Sequence, residues 1–263
     1  MPDPVLLVRD EVPVRWLTLN RPDKRNALNA ELIAALTAAL EATPEDDGIR
    51  CLALTGAGKV FSAGADLAAL RAMMDASEEE NLADSRSLAR LLSAIQGHPL
   101  PVIAALNGHA IAGGAGLSAA CDLTIAVREA QLGFPEVRIG FLPAIVLNFL
   151  LRTLGHKAAR DLCLTGRRVG ADQALAMGLI NEVCEQAQLQ GRVRAIGAEI
   201  AQCSPEAVAA TKLMFLELEA AGSLEEGLEI AVRLNADARM TDDCREGVTA
   251  FLEKRKPRWH PNE

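Results

Sequence analysis

The sequence predicts an α/β layer fold, on three observations. Aliphatic runs of strand length alternate with segments of helical period as far as about residue 145. Glycine-rich turns and helix-capping residues fall in the gaps between those runs, where crossover connections need them. Half of the 263 residues are hydrophobic and 24% are charged, enough apolar material for one large core under a charged surface.

The elements follow in order. The opening stretch VLLVRDEVPVRWLTLN reads as two short strands with Arg9-Asp10-Glu11 between them. NRPDKRNALN supplies turn chemistry, and Asn29 is the expected N-cap of the helix AELIAALTAALEA. IRCLALTG is apolar enough for a strand buried on both faces. TGAGKVFSAGADLAALRAMM, LARLLSAIQGH, PVIAALNG, a small-residue helix and CDLTIAVREA then continue the alternation. Ser77-Glu78-Glu79-Glu80 is either a solvated helix start or a mobile loop. Beyond residue 145 helical patterns dominate, with starts at Ser204-Pro205 and at Ser223, three residues ahead of Glu226. The expected organisation is an α/β core over 1–200 and a helical region over 201–263, the latter an assembly surface.

Composition excludes several classes of partner. The formal net charge is −8, from 27 Lys and Arg against 35 Asp and Glu, so the molecule as a whole repels phosphate backbones and nucleic acid is not expected. A polyanionic ligand must be met by a local cluster of cations. Aromatic residues make up 3%, with no Tyr, which leaves little for base stacking. Six dispersed cysteines show no C-x-x-C and no companion His spacing, so no metal or redox centre is predicted. The start MPDPVLLVRDEVPVRW lacks the basic end and apolar run of a signal peptide, and no stretch reaches about 18 apolar residues. A reducing, cytoplasmic setting without membrane attachment is the expectation.

Three glycine-rich stretches compete for the chemistry. Thr55-Gly56-Ala57-Gly58-Lys59-Val60 lacks the wider phosphate-loop spacing and puts Val60 where a magnesium-binding hydroxyl belongs. Gly114-x-Gly116-x-x-Ala119, with Glu136 some 20 residues on, fits a dinucleotide fingerprint in letters but not in context, because HAIAG is no strand core. The remaining reading joins SAGAD (62–66) to NGHAIAGGAG (107–116). In each, a strand ends, small residues follow and a helix begins, leaving unpaired N–H groups that a ligand can reach because no side chain intervenes. Two such donors meeting at one point form an oxyanion hole; alternatively, the small residues only let helices pack closely.

Five segments in order decide between these: LNRPDKRNALN, FSAGADL, NGHAIAGG followed by Cys121-Asp122, GFPEVRIG and AFLEKRKP. Together they resemble the crotonase superfamily, in its enoyl-CoA hydratase/isomerase branch, over residues 5–257. The resemblance implies a crotonase-like spiral of ββα units with a C-terminal helical trimerisation region, assembled as a homotrimer or homohexamer. It implies an acyl-CoA thioester substrate, CoA arriving with the substrate and no separate cofactor. The oxyanion hole would be the N–H groups of Ala65 and Gly113. CoA-binding positions would be Lys24, Arg25, Ala27, Ala63, Asp66, Leu67, Phe251 and Lys254, which include the local cations that the negative net charge demands.

One departure stands out. Many hydratases of the family carry two glutamates; the second matches Glu136, while the first position is Gly116. Glu136 follows Phe134-Pro135, and partial desolvation there would raise its pKa toward the range useful to a general acid/base. A single carboxylate can add water to a 2-enoyl-CoA, or carry a proton between carbons in a Δ3,Δ2-enoyl-CoA isomerisation. Similarity to methylglutaconyl-CoA-hydratase-like members with Gly at the first position favours the hydratase; a non-catalytic acyl-CoA binder or scaffold is the alternative of another class. Pro143-Ala144-Ile145-Val146-Leu147 replaces the family's usual Gly-rich run, so a bulkier, apolar acyl wall is expected.

Plainer roles suit several neighbours. Asp66 serves as an N-cap for LAALRAMM, His109 as a loop residue, and Cys121-Asp122 as the start of a buried strand. Arg138 is expected in a surface salt bridge more than against an acidic acyl group, and Met73 and Met74 as filler.

Overall fold

The computed structural model describes residues 3–42 and 48–260. Strand β1 (Leu6–Glu11) pairs antiparallel with β2 (Val14–Leu19), from Leu6 opposite Leu19 to Glu11 opposite Val14. The turn is therefore Val12-Pro13, and Arg9-Asp10-Glu11, expected between the strands, belongs to β1. The reason is its edge position. Leu7 to Asp10 are solvent-exposed, so charged side chains stay hydrated, as is usual on a protected sheet edge. Arg15 bonds Asp10 at 2.6 Å, and Arg9 lies 5.7 Å from the Trp16 ring centroid.

From β2 the first sheet continues in parallel through β3 (Cys51–Gly56), β5 (Val102–Leu106), β7 (Leu123–Val127) and β10 (Glu182–Cys184). Every residue of β5 is buried, which is why its sequence reads as an unbroken apolar run rather than an alternation. A second sheet has the order β4 (Val60–Ser62), β6 (His109–Ile111), β8 (Gln131–Gly133), β9 (Arg168–Gly170); its first three strands are parallel and β9 returns antiparallel. Beyond residue 145 helices dominate as expected, and strands β9 and β10, which the sequence did not announce, are added to them. Each is three residues long, too short to register as a periodic pattern.

Helix α1 (Ala30–Glu41) starts where Asn29 accepts a hydrogen bond from the Leu32 N–H at 3.0 Å. Ser77 and Glu80 form a complete capping box at the head of α3 (Glu78–Gly97), which settles that acidic run as a helix start. Between them α2 (Leu67–Met73) is capped by Asp66, and α4 (Gly113–Ala120) follows β6. Helix α5 (Ala144–Thr165) is broken at Gly155, whose φ of 66° needs glycine's freedom. Helix α6 (Ala171–Ala176) leads into β10, and α7 (Leu189–Ile200) lies on the first sheet, where a Cβ on Gly197 would come within 2.6 Å of Val14.

The last three helices, α8 (Pro205–Ala220), α9 (Leu224–Ala238) and α10 (Asp242–Leu252), are capped by Ser204, Ser223 and Thr241. Helix α8 packs on α3 and on both of its successors. Among the described residues no helix is long and apolar enough to cross a membrane.

Candidate active site

Three adjacent parallel strands, β4, β6 and β8, end at the same edge of the second sheet. Neighbouring strands lie about 4.8 Å apart, so the segments that leave them stand side by side: Ala63-Gly64-Ala65 after β4, Ala112-Gly113 after β6 and Phe134-Pro135-Glu136 after β8. The carboxyl ends of parallel strands are where α/β proteins assemble ligand sites.

The first two segments are locked to each other by backbone contact. A Cβ on Gly64 would lie 2.7 Å from the Ile111 carbonyl oxygen and 3.2 Å from the Gly113 nitrogen, so no larger residue fits. The Leu28 N–H donates to Gly64 O at 2.7 Å, and the Asp66 N–H to Leu28 O at 2.9 Å. That pairing is a parallel bridge between Leu28 and Ala65, and in such a bridge the Ala65 N–H points away from Leu28. Among the described residues neither the Ala65 N–H nor the Gly113 N–H has an acceptor. Ala112, at φ 52° and ψ −125°, holds the second bend in a conformation that L-residues rarely adopt, a strain of about 1–3 kcal/mol of the kind that collects at functional sites.

Glu136 lies in the 3-10 turn Pro135–Ile139 and is 8% exposed. Its backbone carbonyl accepts from the Phe141 N–H at 3.0 Å, which fixes the turn, while carboxylate Oε2 is buried without a partner. Desolvation pushes its pKa above the ordinary glutamate value. Cys163, on α5, has its thiol pushed up to about 11, by burial first and then by the charge of Glu136. The site thus offers two unpartnered donors and one acid with an unpartnered oxygen.

Of the residues predicted to meet CoA, one group is brought together. The Ala63 N–H donates to Arg25 O at 3.0 Å, so residues 25–28 run beside 63–66. This juxtaposes Arg25, Ala27, Ala63 and Asp66, with Lys24 and Arg25 exposed at the rim and Leu67 64% exposed at the start of α2. Asp66 accepts from the Ala68 N–H at 3.0 Å, the expected N-cap. Its other oxygen pairs with Arg21 at 2.9 Å, and that hydrogen bond holds the carboxyl below the usual carboxylate range. Phe251 stands instead at the exposed end of α10, whose main neighbour is α8, and Lys254 is in the turn just past that helix.

Two residues that shape this corner were not anticipated. Arg21 bonds both Asp66 and the Ala27 carbonyl, tying the two segments together. Asn26 is fully buried; its amide donates to Ala57 O and Val60 O at 2.9 and 2.7 Å and accepts from the Arg21 N–H at 2.9 Å. Their only trace in the sequence is the run of turn formers NRPDKRN, where a buried asparagine looks like any solvated one.

The residues given plainer roles sort as follows. His109, expected in a loop, opens β6, and its Nδ1 accepts from the Gln131 N–H at 3.1 Å. Cys121 is raised by burial, so it is no thiolate, and Asp122 accepts from the Val102 N–H at 2.6 Å just ahead of β7. Arg138 forms no ion pair among the described residues, contrary to expectation; its side chain instead lies over Gly166, where a Cβ would meet its Cγ and Nε at 3.1 Å. Gly114 and Gly116 face protein rather than a dinucleotide: a Cβ on Gly114 would come within 2.5 Å of Ser62 O, and one on Gly116 within 2.2 Å of Val146 Cγ1.

Two sheets joined by crossover helices, with an edge of three strand ends and a C-terminal helical region, constitute a crotonase-type fold. Comparison with solved structures agrees: the enoyl-CoA hydratase of Mycobacterium smegmatis superposes with a TM-score of 0.92 at 37% identity, covering 98% of this chain and 100% of that one. In sequence, the chain is 45% identical over 241 residues to a putative enoyl-CoA hydratase of Thermus thermophilus, spanning 92% of this chain and 95% of the relative. It is 34% identical to the 2,3-dehydroadipyl-CoA hydratase of Escherichia coli over 96% of this chain and 97% of that protein. The family model for enoyl-CoA hydratase/isomerase matches residues 10–262. The chain belongs to the enoyl-CoA hydratase/isomerase family, a family of acyl-CoA enzymes.

Proposed function

We propose that the protein is a hydratase of 2-enoyl-CoA thioesters that works with one carboxylate. The observation carrying this reading is the set of three unpartnered groups at adjacent strand ends: the Ala65 N–H, the Gly113 N–H and Oε2 of the buried Glu136 carboxylate. The thioester oxygen accepts from both N–H groups. Glu136 takes a proton from water as its oxygen bonds to Cβ; the C=C electron pair moves toward the carbonyl and an enolate forms. Glu136 then delivers that proton to Cα, so water is added with no net change in the enzyme. Each preorganised donor aimed at the developing oxyanion is worth roughly 10²- to 10³-fold in rate. Lys24, Arg25 and Lys254 supply cations for the CoA phosphates, no further cofactor being needed.

The isomerase is the second reading, favoured by the same lone acid, which can move a proton from one carbon to another without solvent oxygen. Turnover of 2-enoyl- and 3-enoyl-CoA esters in ¹⁸O-water separates the two, since only hydration puts the label into product. Glu136→Gln should lower kcat/KM by at least about 100-fold. Unchanged properties in that variant would leave a non-catalytic acyl-CoA binder.

Assembly as a trimer or a dimer of trimers belongs to the same reading. Leu224, Leu228 and Val232 on α9, Met240 in the turn after it, and Val248, Phe251 and Leu252 on α10 are between 56% and 83% exposed, an apolar surface of the kind that marks an interface. Light scattering on the eluted protein tests it, and a monomer would reject it.

A further inference from the structure

A groove of about 570 Å³ opens on the first sheet, within the range of roughly 300–1,000 Å³ usual for small-molecule sites. One wall is the carboxyl ends of β2 and β3, with Trp16, Thr18 and Thr55; the other is the start of α7, with Gln190, Gly191 and Arg194. None of the residues assigned above to the oxyanion hole, the acid or CoA lines it.

Two features mark this groove as a place kept for a ligand. The first is Trp16. It lies on the face of β2 turned toward α7, since Val14, two residues earlier and so on the same face, is what a Cβ on Gly197 would meet at 2.6 Å. The indole is 3% exposed and its Nε1 is buried with no acceptor. Among the described residues the only other buried side-chain nitrogen or oxygen in that state is Oε2 of Glu136. A buried indole N–H ordinarily finds a partner, and this one belongs to the wall of a cavity. The second feature is Gly191. Glycine weakens a helix, and on α7 Gly197 is accounted for by its contact with Val14. A Cβ on Gly191 would meet nothing within 4 Å, so no packing demand explains it; its bare Cα leaves the groove clear.

The lining indicates what fits. In a chain of net charge −8, no Asp or Glu contributes to it. Arg194 bonds Glu11, but Arg9 holds the same carboxylate at 2.8 Å, so two guanidinium groups share one acid and a positive charge is left over. Helix α7 has no side-chain cap and no acid in its first turn, which favours an anion at that end. The other polar groups are neutral, and among the described residues the side chains of Thr18 and Gln186 form no hydrogen bond. A single excess charge suits a carboxylate better than a doubly charged phosphate, and neutral hydroxyl and amide groups suit hydroxyls. We propose that this groove binds a small hydroxylated monocarboxylate, its carboxylate between Arg194 and the start of α7 and its hydroxyl oxygens toward Trp16, Thr18 and Gln186. The site is separate from the acyl-CoA reading and stands or falls without it.

The test uses the full-length protein carrying Trp259→Phe, which leaves Trp16 as the sole reporter in a chain of two tryptophans, and follows its emission as gluconate is added. Gluconate should give a saturable change that acetate, without hydroxyls, and sorbitol, without a carboxylate, do not give at the same concentration; inorganic phosphate should bind more weakly. Arg194→Gln should weaken gluconate binding about tenfold or more, as loss of a charged hydrogen-bond partner does. Gly191→Leu fills the groove from a position with open space, and should abolish the response while Tm stays level or rises. Saturating CoA should leave the response to gluconate intact. No saturable response to gluconate, an equal one to acetate or sorbitol, tighter binding of phosphate, unaltered binding in a folded Gly191→Leu protein, or displacement by CoA would each overturn the proposal.

Discussion

Lys212, on α8, reaches across to Asp122, which precedes β7, with Nζ 2.7 Å from Oδ2. The ammonium also donates to Ile95 O and Leu100 O at 3.0 Å each, and the side chain is 7% exposed. One cation thus joins the C-terminal helices to α3 and to the first sheet. Lysine is rarely buried so deeply unless each of its protons is accepted, as here.

Removing that cation takes a donor from two carbonyls and leaves the Asp122 carboxylate with the Val102 N–H alone. Lys212→Ala should cost about 3 kcal/mol, the lower end for breaking a buried pair, since Asp122 keeps some contact with water. Lys212→Met should cost less, because it retains the packing. Thermal unfolding of both variants checks the order; equal Tm values in parent and Lys212→Ala would show that the contact is weak.

Arg21 holds Asp66 and the Ala27 carbonyl at once, and so braces the segments on either side of the Leu28–Ala65 bridge. Arg21→Ala should lower kcat/KM by roughly 10- to 100-fold, in keeping with the cost of displacing a group by about 1 Å, with a Tm change of only a few degrees. Arg21→Lys should recover little of it, since a single ammonium cannot reproduce a planar fork. Steady-state kinetics on both variants provides the check.

Glu136 links stability to pH in a direction opposite to that of a salt-bridged carboxylate. Its folded pKa is raised from 4.5 by burial, so between the two values the folded chain keeps a proton that the unfolded chain releases. Its contribution to stability is full below the ordinary glutamate range and is lost as pH rises through the raised pKa. Glu136→Gln should therefore be more stable than the parent at pH 8, with the gap closing toward pH 4.5. Activity should run the other way, falling as acid protonates Glu136. Melting curves and pH–rate profiles of the two proteins decide both points.

Ala112 should be happier as glycine. At φ 52° and ψ −125° its Cβ is strained, and Ala112→Gly should stabilise by about 1 kcal/mol, less the glycine's extra entropy in the unfolded chain. Ala112→Val should lower both Tm and activity, as a branched side chain fits that conformation worst.

The legibility of the sequence followed local chemistry. Asn29, Asp66, Ser204 and Ser223 were readable as caps because a capping side chain bonds its own helix. The buried strands β3 and β5 announced themselves by unbroken apolar composition. Strand β1 was misjudged at its charged end, since edge strands tolerate residues that usually mark turns. Ala65, Gly113 and Glu136 were reached through an ordered set of motifs, not through periodicity. Asn26, Arg21 and Lys212 were out of reach, because their roles depend on partners up to 117 positions away, and no local pattern encodes which polar residue is drawn inside.

Gly64 and Gly113 touch through bare main chain, with a Cβ on Gly64 only 3.2 Å from the Gly113 nitrogen. The gap between the neighbouring amides is consequently a steric constant of the scaffold, indifferent to the identity of the side chains lining the cleft. On the proposed hydratase reading, rebuilding those walls by selection can therefore retune which acyl group is admitted while the carbonyl keeps its berth.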